Sequence, residues 1–218
     1  MSRLIDAIKE YQEGTFKKKA PVEIQEIMLN ATKKLENEDI SKNALKTGDI
    51  AKEFTLPNAV GKSVSLDDEI IKNEFIIVSF YRGTWCAYCN LELKALQSRL
   101  DDFRELGADL IAISPQSPDA TMSTKEKNEL EFEVLSDNAN VIAKQYGLVF
   151  SLPEELKPIY TKFGIDIPTS NQNDSYEIPM PAVYVINKNK EIIFSFIDED
   201  YTKRCEPQDI IDAIKKNK

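Results

Sequence analysis

Trp85-Cys86-Ala87-Tyr88-Cys89 sets two thiols three residues apart, directly after an apolar run and directly before an amphipathic one. The preceding run, Phe75 to Tyr81, is β-branched and aromatic, as a buried strand requires, and Arg82-Gly83-Thr84 breaks it. Beyond the thiols, Leu93, Leu96, Leu100 and Phe103 recur at helical spacing with Glu92, Lys94, Arg99 and Asp102 on the other faces, which predicts one helix of roughly four turns. Both cysteines therefore fall at or just inside a helix N-terminus. There the unpaired backbone N–H groups and the positive end of the helix dipole favour a thiolate over a thiol. Half of a zinc site and two inert core thiols are the other readings of such a pair. The chain has no histidine and one further cysteine, Cys205, so four nitrogen or sulfur ligands cannot be assembled within it. Thiol redox chemistry is the expectation, with no metal and no organic cofactor. Without histidine, any general base must be a carboxylate, a lysine or the substrate itself.

The elements around the pair read as an α/β alternation. Residues 1–45 carry two apolar stripes, Leu4, Ile5, Ile8 and Tyr11, then Ile24, Ile27, Met28 and Ala31, which predict an N-terminal helical extension. Phe54 to Leu66, turning at Gly61-Lys62, predicts an opening β-hairpin. The 75–81 strand, the cysteine-bearing helix and a second apolar strand at Leu110 to Ser114 make a βαβ unit, so the central sheet is at least partly parallel. A polar helix over 118–129, a strand at 132–135 and a helix from Asn138 to Tyr146, capped by Asp137 or Asn138, continue the pattern. Residues 147–180 hold four prolines and a polar stretch and read as a long irregular loop, a candidate lid. A hairpin over 182–197 and a helix opened by Pro207 complete the chain.

Composition bounds the partners. With 218 residues, 42% of them apolar, the chain is long enough for a sizeable core. No run approaches a membrane span and Met1 to Asp6 lacks a secretory h-region, which makes the cytoplasm the expected compartment and a membrane an unexpected partner. A net charge of −9 argues against nucleic acid.

The order of elements, with W-C-x-x-C between the first central strand and helix, resembles the thioredoxin fold: a central mixed sheet flanked by helices. Lys46 to Leu56 followed by Gly61 to Leu66 is similar to the opening hairpin of the alkyl hydroperoxide reductase and thiol-specific antioxidant group, the peroxiredoxins. Within it, Arg82-Gly83-Thr84-Trp85-Cys86-Ala87-Tyr88-Cys89-Asn90-Leu91-Glu92-Leu93 looks most like the branch reading R-G-x-W-C-x-Y-C-N-x-E-L. The resemblance implies a domain over 46–218 that reduces hydroperoxides, with Cys89 at the peroxidatic position, Cys86 resolving it, and thioredoxin or a small thiol as reductant. A homodimer is the candidate assembly. The family's P-x-x-x-T-x-x-C is altered here: Arg82 stands at the Pro position and Cys86 at the Thr position, and the family's distant Arg is replaced by Pro181. Thr84 and Arg82 are then the nearby substitutes for positioning peroxide, with Trp85 as a substrate platform or a packing residue. Pro181 is the candidate for the fold's cis-proline.

The same resemblance leaves two other functions open, a thioredoxin-like disulfide reductase with Cys86 as nucleophile and a redox-switched binding module without turnover. Tyr88, between the thiols, is expected to stay partly exposed and to tune the redox potential. Cys205 reads as a distant resolving thiol or an incidental one, and Asp198-Glu199-Asp200 as a solvated cap rather than a metal site.

Overall fold

A computed structural model of the chain describes residues 3–218; Met1 and Ser2, the first residues of the expected extension, lie outside the described residues. The extension folds as α1 (Leu4–Tyr11), a π-helical turn at Gln12–Phe16, α2 (Lys17–Lys19) and, after Pro21, α3 (Val22–Asn37). The hairpin β1 (Thr55–Pro57) and β2 (Ser63–Ser65) follows, and Ser65 caps α4 (Leu66–Lys72) by accepting from the Asp68 N–H. Then come β3 (Phe75–Phe80), α5 (Ala87–Gln97), α6 (Leu100–Glu105), β4 (Ala108–Ser114), α7 (Pro118–Lys127) and β5 (Glu133–Ser136). The C-terminal half runs α8 (Val141–Gln145), β6 (Val149–Ser151), α9 (Lys157–Lys162), α10 (Ile167–Asn171), β7 (Glu177–Pro179), β8 (Ala182–Asn187), β9 (Ile192–Ile197) and α11 (Pro207–Lys216).

The central sheet has the order β5-β4-β3-β8-β9, with β3 parallel to β4 and antiparallel to β8. Every residue of β3 is buried, as befits a strand covered on both faces. Its alternate residues enter two cores. Phe75 and Ile77 join Leu93, Leu96 and Phe103 on one side, while Ile76, Val78 and Phe80 join Leu66, Tyr146 and Tyr184 on the other. Each such side chain contributes about 1.5–3 kcal/mol of apolar burial, which clamps α5 and its thiols against the sheet.

Three expectations change on folding. The predicted four-turn helix is two helices, because α5 stops at Gln97 and Arg99 leaves helical geometry at φ −119°, ψ 12°. The Ser98 hydroxyl donates to the Ala95 carbonyl at 2.7 Å, a local bond that competes with continuing the helix. Residues 147–180 are not an irregular loop: β6 pairs antiparallel with β7, and Leu152, Leu156, Ile159, Tyr160 and Ile167 form a small core with Ala20, Ile24 and Ala31 of the extension. Pro158 and Pro168 sit in the first turns of short helices, Pro153 precedes a 3-10 turn at Glu154–Leu156, Pro179 ends β7, and Asp166 caps α10. Third, the N-terminal extension is docked rather than pendant, with Leu4 and Ile8 buried in the same core as Leu93 and Leu96.

The Met180–Pro181 bond is the clearest correction. No cis peptide bond occurs among the described residues, so the expected cis-proline is not formed. The Met180 N–H donates to the Leu148 carbonyl and Ala182 pairs directly with Phe80, so the chain passes extended from β7 into β8 without a turn at Pro181. Among the described residues no helix is long and apolar enough to cross a membrane.

Candidate active site

The strand-to-helix turn that carries the thiols is tied down by side chains. The Cys86 N–H donates to the Gly83 carbonyl, and Asn90 Nδ2 donates back to the carbonyls of Thr84 and Cys86 at 2.8 and 3.1 Å. Gly83 has φ +151°, and a Cβ there would meet Trp85 Nε1 at 2.5 Å; only glycine lets the indole close over the turn. Cys86 is the N-cap of α5, its sulfur accepting from the Cys89 N–H at 3.3 Å. Cys86 and Cys89 are joined as a disulfide, with Cα atoms 5.2 Å apart.

Two guanidinium groups face this pair. Arg82, 4% exposed, places Nη2 3.4 Å from Cys86 Sγ and Nη1 3.1 Å from the Tyr160 hydroxyl, with its Cζ 4.1 Å from the Tyr201 ring centroid and 5.2 Å from that of Trp85. Its Nε is buried without a hydrogen-bond partner. Arg204 places Nη2 3.5 Å from Cys89 Sγ and 3.8 Å from Cys86 Sγ, while Nη1 donates to Glu92 Oε2 at 2.7 Å. Both members of the Arg204–Glu92 pair are buried. Burial pushes the Glu92 carboxyl up and the Arg204 guanidinium down, and each opposes the other's shift. Arginine stays protonated in proteins, so the guanidinium charge is retained in this buried pair.

Arg204 is the functional residue that sequence reasoning missed, and its signal was Glu92. Cys89, Glu92, Leu93 and Leu96 are all buried on α5, so Glu92 shares the apolar side of the helix instead of lying on another face as expected. A carboxylate there requires a buried cation. The chain supplies it from the turn before α11, where Arg204 Nε also donates to the Tyr201 carbonyl at 2.8 Å.

The other candidates separate. The Thr84 hydroxyl is engaged with Gln116 Oε1, the Ala120 carbonyl and Thr124 Oγ1, and so anchors the turn to α7 instead of facing the thiols. Trp85 packs edge-on to Tyr160 at 5.7 Å over Cys86. Tyr88, expected to be partly exposed, is 6% exposed and sits edge-on between Tyr11 and Tyr201, at 5.3 and 5.5 Å. Pro181 lines a crevice with Arg82, Tyr160 and Tyr201 that shares these three walls with the cavity at Cys86, and it does not line that cavity itself. Cys205 is fully buried, and desolvation with Glu92, Asp209 and Glu206 nearby pushes its thiol up, away from reactivity. Asp198 and Asp200 cap their own turn, accepting from the Asp200 and Thr202 N–H groups, and Asp198 also receives Lys203.

The fold and the site together define a thioredoxin-fold protein whose Cys86–Cys89 pair is set at a helix start beside two buried cations. The profile of the AhpC/TSA family matches residues 47–195, and the chain belongs to that family. It is similar to the putative peroxiredoxin bcp of Buchnera aphidicola, 33% identical over 104 residues that make up 48% of this chain and 65% of the relative. It is also similar to peroxiredoxin Bcp of Escherichia coli K12, 32% identical over 106 residues, 49% of this chain and 67% of the relative. The matched segment thus spans about two thirds of either relative's length. Among solved structures, peroxidoxin BcpB from Mycobacterium tuberculosis superposes with a TM-score of 0.63 at 17% identity, covering 80% of this chain and 99% of the other, which is a likeness of fold. The expected family, the AhpC/TSA peroxiredoxins, and the expected thioredoxin fold are both borne out.

Proposed function

We propose that the chain reduces hydroperoxides through the Cys86–Cys89 pair, with Cys89 attacking, Cys86 resolving and a thiol reductant closing the cycle. The observation that carries this is the placement of two buried guanidinium groups within hydrogen-bonding reach of the two sulfurs. A cation at such distances favours the thiolate, and a second one receives the charge that develops on the departing oxygen.

In the first step the Cys89 thiolate attacks the distal peroxide oxygen. An S–O bond forms, the O–O bond breaks, and the alkoxide or hydroxide leaves with a proton as alcohol or water. Cys86 then attacks the Cys89 sulfenic sulfur, expelling the hydroxyl as water and forming the internal disulfide. Two thiol equivalents from thioredoxin or a small thiol return the pair to its reduced state. The residues that position substrate are Arg82 and Arg204, with Trp85 walling the cavity; Thr84 and Pro181 act on the turn and on the sheet entrance. The disulfide-reductase alternative needs an open polypeptide groove at Cys86, and that residue is 2% exposed.

Stopped-flow mixing of the reduced protein with hydrogen peroxide tests the proposal through Trp85, the sole tryptophan, and through thiol counting. The expected result is loss of two thiols per peroxide at a rate far above that of free cysteine. A rate no greater than that of free cysteine would overturn it.

A further inference from the structure

The oxygen that departs when a peroxide is split needs a proton, and the groups around the thiols narrow its source. The chain has no histidine, and Glu92 is engaged by Arg204. A guanidinium stays charged in proteins and gives up no proton. The Thr84 hydroxyl is engaged with Gln116, the Ala120 carbonyl and Thr124. Besides Arg82 and Cys86 itself, the titratable groups lining the cavity of about 80 Å³ at Cys86 are phenols: Tyr11, Tyr88, Tyr160 and Tyr201.

Tyr160 differs from the other three in what holds its oxygen. Arg82 Nη1 donates to the Tyr160 hydroxyl at 3.1 Å, while Nη2 of the same guanidinium stands 3.4 Å from Cys86 Sγ, to which Cys89 Sγ is bonded. A guanidinium carries donors only, so the hydroxyl is the acceptor and its own proton is not used in that bond. Among the described residues this hydroxyl has no second hydrogen-bond partner. Tyr201 instead turns its ring to Arg82, with the Cζ 4.1 Å from its centroid. Burial pushes the Tyr201, Tyr88 and Tyr11 phenols up, away from proton donation. Tyr160 is 4% exposed, and Trp85 and the small core that includes Leu156 and Ile159 fix its ring.

We infer that Tyr160 is the catalytic acid of the peroxide reaction, donating its phenolic proton to the oxygen that departs as the O–O bond breaks. The inference deepens the peroxidase reading of this site and rests on it. As the Cys89 electron pair forms the S–O bond, the O–O pair passes to the far oxygen, which takes the Tyr160 proton and leaves as water or alcohol. A phenol is a far stronger acid than water or an alcohol, so this transfer runs downhill. The phenolate left behind is held by Arg82 and takes back from solvent the proton that Cys89 released on ionising. Electrons balance as well, since the two that leave the sulfur, now a sulfenic acid, are the two that reduce the peroxide bond.

The test varies the basicity of the departing oxygen. Reduced full-length protein and Tyr160→Phe, which keeps the ring and its packing, are each mixed with hydrogen peroxide, tert-butyl hydroperoxide and peracetic acid. Trp85 fluorescence and thiol counting follow the reaction. The first two peroxides expel strong bases that need the proton, whereas peracetic acid expels acetate, which does not. Tyr160→Phe is expected to react about 10²-fold more slowly with the first two and to stay within about twofold of wild type with peracetic acid. An equal loss on all three would reduce Tyr160 to a positioner of Arg82 and overturn the inference, as would no loss on any. The Cys86 thiol is the rival proton source, and selective loss in Cys86→Ser with none in Tyr160→Phe would overturn the inference in its favour. A wild-type rate on hydrogen peroxide no greater than that of free cysteine would overturn the peroxidase reading and the inference with it, an outcome read from the wild type alone.

Discussion

The Arg204 guanidinium stands 3.5 Å from Cys89 Sγ, bringing a cation from the turn before the last helix to the first turn of α5. The same guanidinium holds Glu92 one helical turn further along, so the thiol, the cation and the carboxylate form a buried line. Glu92 thereby offsets the desolvation of Arg204, while leaving one of its nitrogens directed at the sulfurs. On its other flank the pair meets Arg82, for which no carboxylate partner occurs among the described residues; aromatic faces and the Cys86 sulfur take that place.

Removing Arg204 alone and removing the whole pair should have different consequences. Arg204→Gln leaves a buried carboxylate without its cation and is expected to cost about 3–5 kcal/mol of stability in denaturant unfolding. The double variant Glu92→Leu with Arg204→Met replaces the pair by apolar groups of similar size and is expected to stay close to wild-type stability. It should nonetheless react slowly with peroxide, because the Cys89 pKa rises once the Arg204 cation beside it is gone. Thiolate absorbance against pH in a Cys86→Ser background checks that rise, and an unchanged Cys89 pKa in the double variant would remove Arg204 from the mechanism.

The roles of the two sulfurs are separable. Cys89→Ser is expected to abolish the peroxide reaction, while Cys86→Ser consumes one equivalent and stalls as a sulfenic acid that a dimedone-type reagent traps. Mass spectrometry of the trapped adduct gives the position of the attacking sulfur. A sulfenic acid at Cys86 in Cys89→Ser would assign attack to Cys86, the thiol that faces the cavity.

The elements that were legible in the sequence are those whose residues repeat at a fixed period. Phe75 to Phe80 and Ala108 to Ser114 read as strands because both faces are buried, and Ile210, Ile211 and Ile214 read as a helix because one stripe is. The two cysteines read as a redox pair from their spacing at the strand-to-helix junction. Arg204 did not, since its partner Glu92 lies 112 residues away and no local period links them. Residues 147–180 escaped for a related reason. Their short helices and two-strand ribbon acquire a core only by packing on Ala20, Ile24 and Ala31, so the apolar pattern is shared between distant segments. The break at Ser98–Arg99 depended on one hydroxyl bond that the spacing of Leu96 and Leu100 does not reveal.

Gly83→Ala is expected to loosen the thiol turn. The added methyl would meet Trp85 Nε1 at 2.5 Å and would require a backbone conformation at φ +151° that L-residues avoid. Conformational strain of this kind costs about 1–3 kcal/mol, on top of displacing the indole. The variant should unfold at lower denaturant concentration and show altered Trp85 fluorescence in the folded state. Wild-type stability and an unchanged spectrum would mean that the turn accommodates a side chain.

Cys205 should make alkaline pH destabilising through a mechanism separate from catalysis. Burial and nearby carboxylates push its thiol well above the ordinary value of 9.0. A folded-state pKa raised above the unfolded one contributes stability that is fully present below the unfolded value, about 8.5–9, and is lost as pH rises through the folded value. In that window the unfolded chain has released the proton and the folded one retains it, so stability falls by about 1.4 kcal/mol per pH unit from this group alone. Oxidised protein is the right sample, since Cys86 and Cys89 are then bonded and do not titrate. Urea unfolding at intervals from pH 8 to pH 10 is expected to show this slope in the wild type and a shallower one in Cys205→Ala, even where the cavity lowers its overall stability. The comparison stops near pH 10 because buried tyrosines, among them Tyr184 and Tyr201 with phenols pushed up by burial, contribute the same sign of slope above it. The same thiol should resist iodoacetamide at pH 8.5 in the folded protein and react on unfolding. Equal slopes in the two proteins, or rapid native-state alkylation of Cys205, would mean that its thiol ionises as readily folded as unfolded.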